Sequence, residues 1–334
     1  MGGRRPPRRR RRDHRHRADG RADLQPRRYE RPLRHPSQPP GSRPHSPGGS
    51  SSGPASAVAL HEADAGLGTD TAGSIRVPSS YCGLYGMRPT HGAVPVAGML
   101  PLAPDFDTVA WLARDAPTLA RIGDVLLPGA DTARQTGPFH TALVAPDLLA
   151  PVEPDVRAEF AGAAAGLAVR LGLRREECDF GGDPRERAEA FSLAQAAQVW
   201  ECDGAWVASH PGALGPDVER RLAWASGVGG ERAARARESV RETARALRAV
   251  LTPGTVLLLP AAPGPAPARD AGADERSAVR RAAVQLTCLA SGAGLPCLVL
   301  PRMAAGGLPV GLCVIAAPGS DRALLDLAVA ESRR

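Results

Sequence analysis

Lysine is absent from this 334-residue chain, and all 42 of its strongly basic residues are arginine. A phosphate-binding P-loop depends on a lysine, so that kind of nucleotide site is excluded. Aromatic residues make up only 4% of the chain, which predicts a core built from alanine, valine and leucine. No apolar stretch approaches the roughly 20 residues of a membrane-spanning helix, and no apolar signal-peptide segment opens the sequence. We therefore expect a cytoplasmic protein with no membrane partner.

The cysteines are few and irregularly spaced. They are Cys82, Cys178, Cys202, Cys288, Cys297 and Cys313. No two of them form a C-x-x-C pair, so the pattern does not indicate a zinc site, and we expect no bound metal. The pattern is typical of free thiols, most of them buried, in a reducing compartment.

Residues 1–45 differ in composition from the rest of the chain. They contain fifteen arginines and four acids, whereas the whole chain has a net charge of +7, so residues 46–334 are net acidic. The segment has few apolar residues and no helical or strand periodicity, so we predict that it is disordered. We interpret it as a basic leader that is non-native, arising from a shifted frame or a wrong start in a GC-rich gene. The alternatives are an arginine-rich arm that binds nucleic acid and a transit peptide.

Two segments rich in small residues dominate the remaining sequence. The first, 48–53, reads GGSSSG, and the second, 68–76, reads GTDTAGSIR. Ser50 and Ser74 lie 24 residues apart within them. Glycines let the backbone approach a small ligand and point amide N–H groups toward it. A hydroxyl beside such donors is what nucleophilic hydrolysis requires. A flexible linker, or the G-x-S-x-G elbow of α/β-hydrolases, is an alternative for the first segment alone.

With segments 82–92, 100–109 and 295–315, these motifs resemble the amidase signature family of Ser–cis-Ser–Lys hydrolases. The resemblance covers roughly residues 46–334. It implies an α/β fold with a mixed central sheet covered by helices, and hydrolysis of C–N bonds in small carboxylic amides. It implies no organic cofactor. The partners expected are a small amide substrate, water and, in a homodimer, a second copy of the chain.

The resemblance also assigns roles to individual residues. Ser74 is the nucleophile that forms the acyl-enzyme, and Ser50 is a bridging serine held in a cis peptide that relays a proton. Ser51, Asp70 and Arg76 support the site, with Asp70 and Arg76 paired. The backbone amides that would form the oxyanion hole are those of Thr71, Ala72, Gly73 and Ser74.

The third catalytic group of the family, a lysine base, has no counterpart in this sequence. Arginine does not replace it, because its pKa exceeds about 12. In the family the lysine lies on a segment that would precede Met1, so we expect an incomplete domain that lacks its N-terminal segment. A catalytically inactive fragment is the alternative function. His45 and His91 are possible substitute bases, although His91 is better interpreted as a surface residue.

The hydrophobic patterns alternate between strand and helix along the chain, which indicates a layered α/β fold. Trp200 and Trp206 lie in a stretch that resembles arylacetamide and indoleacetamide amidases, and there they would adjoin the substrate. Tyr81 and Trp111 are interpreted as core residues. The strands predicted from apolar runs are 65–69, 84–87, 141–145, 255–259, 296–300 and 310–315.

Overall fold

A computed structural model of the chain describes residues 44–127 and 138–333. Of the predicted leader, 1–45, only the last two residues fall within these ranges. Residues 44–46 pair with the segment 267–269: the Ser46 amide donates to the Pro267 carbonyl at 2.9 Å, and the Arg269 amide donates to the Pro44 carbonyl at 2.9 Å. The start of the described chain is therefore attached to the body of the fold.

The strands of the described residues form one eight-stranded sheet in the order β1-β3-β2-β7-β8-β6-β4-β5. Strand β4 is parallel to both β5 and β6, and the other neighbouring pairs are antiparallel, so the sheet is mixed as predicted. The strands are β1 Ala65–Thr69, β2 Tyr85–Arg88, β3 Val109–Ala113, β4 Thr141–Val144, β5 Arg174–Glu177, β6 Thr255–Pro260, β7 Cys297–Ala305 and β8 Leu308–Ala316.

Helices cover both faces of this sheet. Two begin after an aspartate that accepts a hydrogen bond from the first turn: Asp115 from the Thr118 amide at 2.7 Å, and Asp183 from the Arg185 amide at 2.8 Å. Both are followed by a proline at the start of the helix, a common opening signal. The helices are α1 Ser52–Ala59, α2 Arg76–Cys82, α3 Ala116–Leu126, α4 Pro154–Leu171, α5 Pro184–Ser209, α6 Pro216–Ser226, α7 Gly230–Val250, α8 Ala273–Gly292 and α9 Asp321–Ser332.

Strand β6 shows how the layers are built, because its side chains alternate between two cores. Val256 and Leu258 pack with residues of α3, α4 and α9 on one face. Leu257 and Leu259 pack with residues of α5, α7 and α8 on the other. Successive side chains of a strand point to opposite faces, so an unbroken apolar run is buried on both sides. The prediction of a sheet covered by helices is confirmed.

Several elements differ from the sequence prediction. Strand β5 was not expected, because it reads RREE at the sheet edge and its side chains are largely exposed. Strand β3 was not predicted either, although it is almost fully buried between β1 and β2. Helix α6 was not predicted either; it begins at Pro216, after Gly215, and proline is favoured in the first helical turn.

Tyr81 and Trp111 belong to the core, as the sequence predicted. Trp111 is fully buried, and its indole Nε1 donates to the Leu119 carbonyl at 3.0 Å. Tyr81 packs in a small cluster with Ala262 and Ala266 of the loop after β6. No helix among the described residues is long and apolar enough to cross a bilayer.

Candidate active site

The segment that carries Ser50 is a tight bend immediately before helix α1. The Gly49–Ser50 peptide is cis, which agrees with the geometry implied by the family resemblance. Gly48 adopts φ +77°, and a Cβ placed there would stand 3.0 Å from Cδ2 of Tyr81. A glycine is required at this position by both the conformation and the space.

Ser51 joins the two glycine-rich segments. Its amide donates to the Ser74 carbonyl at 3.2 Å, and its Oγ donates to the Thr69 carbonyl at 3.3 Å. Ser51 is buried, whereas its neighbour Ser50 is exposed and Ser74 is half-buried. The main chains around Ser50 and Ser74 are therefore adjacent, on the accessible side of the bend. No hydrogen bond within the described ranges joins the Ser50 and Ser74 hydroxyls directly.

Asp70 organises the loop between β1 and α2. Its Oδ1 accepts the Gly73 amide at 2.9 Å, and its Oδ2 accepts the amides of Ile75 at 3.1 Å and Arg76 at 3.3 Å. An aspartate that accepts nearby amides in this way closes a local turn. The carboxylate thereby curls residues 70–76 around itself.

Two guanidinium groups flank the same carboxylate in a fully buried cluster. Arg76 binds it with two donors, Nε to Oδ2 at 3.1 Å and Nη2 to Oδ1 at 2.8 Å, so the predicted pair exists. Arg88 adds a contact from Nη1 to Oδ1 at 3.0 Å and another to the Asp70 carbonyl. Arg88 had no predicted role, although it lies within the 82–92 motif.

Two effects set the pKa values in this cluster: burial, which disfavours the charged form of each group, and the charges of the neighbouring groups. Burial alone raises the pKa of the Asp70 carboxyl, but the charges of Arg76 and Arg88 outweigh burial, and the pKa falls well below its usual range. Burial lowers the pKa of Arg88 to about 10, with the charge of Arg76 acting in the same direction and Asp70 opposing both. All three groups are charged at neutral pH, which leaves one net positive charge beneath the loop.

Helix α8 supplies the other side of the loop. The Nη1 of Arg76 donates to the Thr287 carbonyl at 2.8 Å, and its Nη2 donates to the Ser291 hydroxyl at 2.6 Å. The Thr287 hydroxyl donates to the Ala72 carbonyl at 2.8 Å. Thr287 and Ser291 lie four residues apart, on one face of the helix. No sequence motif pointed to either residue.

Segment 100–109 fixes the first part of the loop. The Thr71 hydroxyl donates to Oδ1 of Asp107 at 2.6 Å, and Oδ2 of Asp107 accepts the amides of Leu102 at 2.8 Å and Ala103 at 2.9 Å. The Asp70 carbonyl accepts the amide of Thr108 at 3.3 Å and its hydroxyl at 3.1 Å. This motif acts as a support for the loop, a role that the sequence analysis did not assign to it.

The amides expected to form the oxyanion hole are not equally available. The Gly73 amide is occupied by the Asp70 carboxylate, which differs from the predicted set. The amides of Thr71, Ala72 and Ser74 have no acceptor among the described residues.

The two histidines considered as substitute bases, His45 and His91, contact other loops. The ring Nε2 of His91 contacts the Pro104 carbonyl at 2.8 Å, and its amide donates to the Gly294 carbonyl, so this histidine is tied to another loop. His45 forms a bridge with Ala268. No group of three potential metal ligands is assembled within the described ranges.

Comparison with known proteins identifies the family. The Amidase family profile matches residues 27–325. This chain belongs to the amidase family. It is 34% identical over 312 residues to Amidase 1 of Arabidopsis thaliana, an alignment that covers 84% of this chain and 72% of the plant protein. It is 32% identical over 306 residues to Amidase 1 of Oryza sativa subsp. japonica, covering 84% of this chain and 70% of the rice protein.

Solved structures agree with this family. An amidase crystal structure superposes with a TM-score of 0.77 and 28% sequence identity, covering 90% of this chain and 69% of the other. The predicted family and fold are confirmed, and the chain is an amidase, an enzyme that hydrolyses amides. The resemblance to arylacetamide amidases stays a prediction. Trp206, which that prediction placed near the substrate, stacks on His210 at the end of α5 and is about half exposed.

Proposed function

We propose that this amidase hydrolyses small carboxylic amides through a serine acyl-enzyme, with Ser74 as nucleophile and Ser50 as proton relay. The observation that carries the proposal is the hydrogen bond from the Ser51 amide to the Ser74 carbonyl, 3.2 Å long. It joins two segments that are distant in sequence and makes the two serines neighbours. Both retain access to solvent, as a site for a small substrate and for water requires.

The acylation step balances without a metal or an organic cofactor. The Ser74 Oγ bonds to the amide carbon while its proton moves to the Ser50 Oγ. The Ser50 hydroxyl proton in turn moves to the amide nitrogen, the C–N bond breaks, and ammonia leaves. Water then attacks the acyl carbon and transfers a proton back along the same route. The carboxylic acid leaves, and both hydroxyls are restored.

The negative oxygen that forms on the amide carbon would be bound by the free amides of Thr71, Ala72 and Ser74. Removing one such donor in other enzymes lowers the rate by ~10²–10³-fold. The net positive charge of the Asp70–Arg76–Arg88 cluster acts in the same sense, because it lies beneath the loop that carries these amides. The arginines stay protonated and take no part in proton transfer.

The proposed proton relay uses only groups of this chain, which contains no lysine. A lysine near the bridging serine would accelerate the first proton transfer, so we expect slow turnover from the serine pair alone.

The six cysteines are free thiols, including Cys297 and Cys313, whose sulfurs are 2.7 Å apart. Free thiols are typical of a reducing compartment, so we propose the cytoplasm as the place of action. A homodimer stays a prediction.

The test is ammonia release from indoleacetamide, phenylacetamide and benzamide by the 334-residue chain. We expect release by the wild type, a loss of at least ~10³-fold for Ser74→Ala, and a loss of ~10²-fold or more for Ser50→Ala. Ser226→Ala is the control, because within the described part of the chain its hydroxyl binds only the Ala223 carbonyl, in an exposed helix. Rapid quenching and intact-mass analysis should reveal the acyl group on Ser74.

Two results would contradict the proposal. Full activity of Ser74→Ala would exclude that serine as the nucleophile. Absence of ammonia release from the wild type, with no acyl adduct, would instead support the alternative of an inactive amidase-like chain.

A further inference from the structure

Thr287 of helix α8 contacts the catalytic loop in three ways. Its hydroxyl donates to the Ala72 carbonyl at 2.8 Å, and its own carbonyl accepts Nη1 of Arg76 at 2.8 Å. Its methyl group lies against Gly73, where an added Cβ would stand 2.8 Å from Cγ2. We propose that Thr287 is a positioning residue that sets the orientation of the Ala72–Gly73 peptide and, through it, of the oxyanion donors. This inference rests on the proposed function of the loop.

The Ala72–Gly73 peptide is held at both ends. Its carbonyl accepts from Thr287, and its N–H donates to Oδ1 of Asp70 at 2.9 Å. Because a trans peptide is planar, its C=O and N–H point in opposite directions. Thr287 and Asp70 therefore fix one rotational position of this unit from its two sides.

The conformation of Gly73 explains why the Ala72–Gly73 peptide needs hydrogen bonds from both sides. Its φ of +107° lies in a region that glycine enters without hindrance. A glycine does not by itself prevent the preceding peptide from rotating. If the Thr287 bond were lost, the Ala72 carbonyl could turn toward the free amides of the loop. A carbonyl oxygen there would repel the negative oxygen that the proposed reaction creates.

The neighbouring peptides have other anchors. The Asp70 carbonyl accepts two bonds from Thr108 as well as one from Arg88, and the Gly73 carbonyl accepts the Val77 amide at 2.9 Å. The Ala72 carbonyl has a single donor among the described residues, the Thr287 hydroxyl. Loss of that hydroxyl should accordingly affect this one peptide more than the rest of the loop.

A threonine inside a helix ordinarily donates to the carbonyl four residues earlier. The Thr287 oxygen also lies 3.0 Å from the Ala283 carbonyl, but it has only one proton, and the loop carbonyl is the nearer acceptor. Thr243 of α7 shows the ordinary arrangement, with its hydroxyl 3.1 Å from the Ser239 carbonyl and no bond to another described element. Thr243 is therefore the matched control for substitutions at Thr287.

The experiment compares Thr287→Val, Thr287→Ser and Thr243→Val in the full chain, with thermal unfolding measured for each. Valine keeps the shape and removes the donor, whereas serine keeps the donor. We expect Thr287→Val to lower kcat by about tenfold with KM changed by less than about twofold. Thr287→Ser and Thr243→Val should stay within about twofold of the wild type.

Hydrogen–deuterium exchange of the peptide that spans residues 71–75 supplies a readout that does not depend on turnover. The Gly73 amide should exchange about fivefold faster or more in Thr287→Val, and at the wild-type rate in Thr287→Ser. Unchanged exchange in Thr287→Val would overturn the inference. So would faster exchange with unchanged kcat in an active enzyme, or an equal fall of kcat in Thr243→Val. If the wild type releases no ammonia, the proposed function fails, and the exchange contrast still decides whether Thr287 holds the peptide.

Discussion

Gly68 lies so close to Ser51 that a Cβ added to the glycine would stand 2.5 Å from the Ser51 hydroxyl oxygen and 3.0 Å from its Cβ. Ser51 is the residue whose amide binds the Ser74 carbonyl. The close approach of strand β1 to the start of α1 is therefore a condition for bringing the two segments of the site together. It also explains why a glycine precedes Thr69 in this strand.

Gly68→Ala should weaken both the fold and the site. The new methyl group would push Ser51 away from strand β1, so we expect a loss of about 1–3 kcal/mol in the free energy of unfolding and a fall in amidase activity. Gly53→Ala is the control, because no atom of the described residues lies within 4 Å of its added Cβ and alanine favours the helix. Denaturant titration and ammonia release measure the two effects. Equal behaviour of the two variants would show that the β1–Ser51 contact does not support the site.

Asp70→Asn should destabilise the protein because it leaves Arg76 and Arg88 buried without a negative partner. We expect a loss of about 3–5 kcal/mol at pH 7, the usual effect of breaking a buried pair. Asp64→Asn is the control: its carboxylate is almost fully exposed, so its pair with Arg114 should contribute less than about 1 kcal/mol. Chemical unfolding at fixed pH measures both. A small effect of Asp70→Asn would show that the loop does not depend on this charge.

The free energy of unfolding should depend on pH through the Asp70 carboxylate. The pKa of Asp70 is lower in the folded state than in the unfolded chain, because the charges of Arg76 and Arg88 outweigh burial. Its contribution to stability is therefore fully present above the unfolded pKa, near 4, and is lost as the pH falls below that value. The free energy of unfolding of the wild type should drop more steeply below pH 4 than that of Asp70→Asn. Parallel curves would contradict this assignment.

The sequence predicted the parts of the site that are local in the chain. The Asp70–Arg76 pair was predicted, and Ser50 and Ser74 are proposed as site residues, because the family resemblance is carried by short continuous segments. Thr287 was not found, because its contacts with the loop join residues 211 and 215 positions apart. Its own surroundings in α8 have an ordinary helical pattern. Only the packing of the sheet and helices brings it to the loop.

The same physical limit applies to the fold. Strand β6 was predicted because its continuous apolar run signals burial on both faces. Strand β5 has no such signal: it is a charged edge strand, paired on one side with β4, and its backbone hydrogen bonds rather than its side chains place it in the sheet. The sequence likewise could not predict which loop amides already have an acceptor, because the acceptor of the Gly73 amide depends on the orientation of the Asp70 side chain.

Thiol labelling should separate the cysteines by burial. Cys202 is exposed and Cys178 is partly exposed, whereas burial raises the pKa of Cys82 and of Cys288 to about 12. Since the thiolate is the reactive form, iodoacetamide at pH 8 should modify only Cys202 and Cys178 in the folded protein. All six should react in denaturant. Peptide mass spectrometry measures the pattern, and rapid native labelling of Cys82 would contradict the packing around α2.

Gly73→Ala should be more damaging than a change at another glycine of positive φ. Alanine at Gly73 would meet the Thr287 methyl at 2.8 Å as well as the strain of a φ of +107°. Gly92 has a φ of +80°, and no atom within ranges 44–127 and 138–333 lies within 4 Å of an added Cβ, so Gly92→Ala tests the backbone strain by itself. We expect a loss of stability of about 1–2 kcal/mol for Gly92→Ala and about 3 kcal/mol or more for Gly73→Ala. Amidase activity should fall only in the latter, because only that substitution displaces the loop from helix α8. Similar losses of stability and activity in both variants would mean that the contact with Thr287 is too loose to hold the loop.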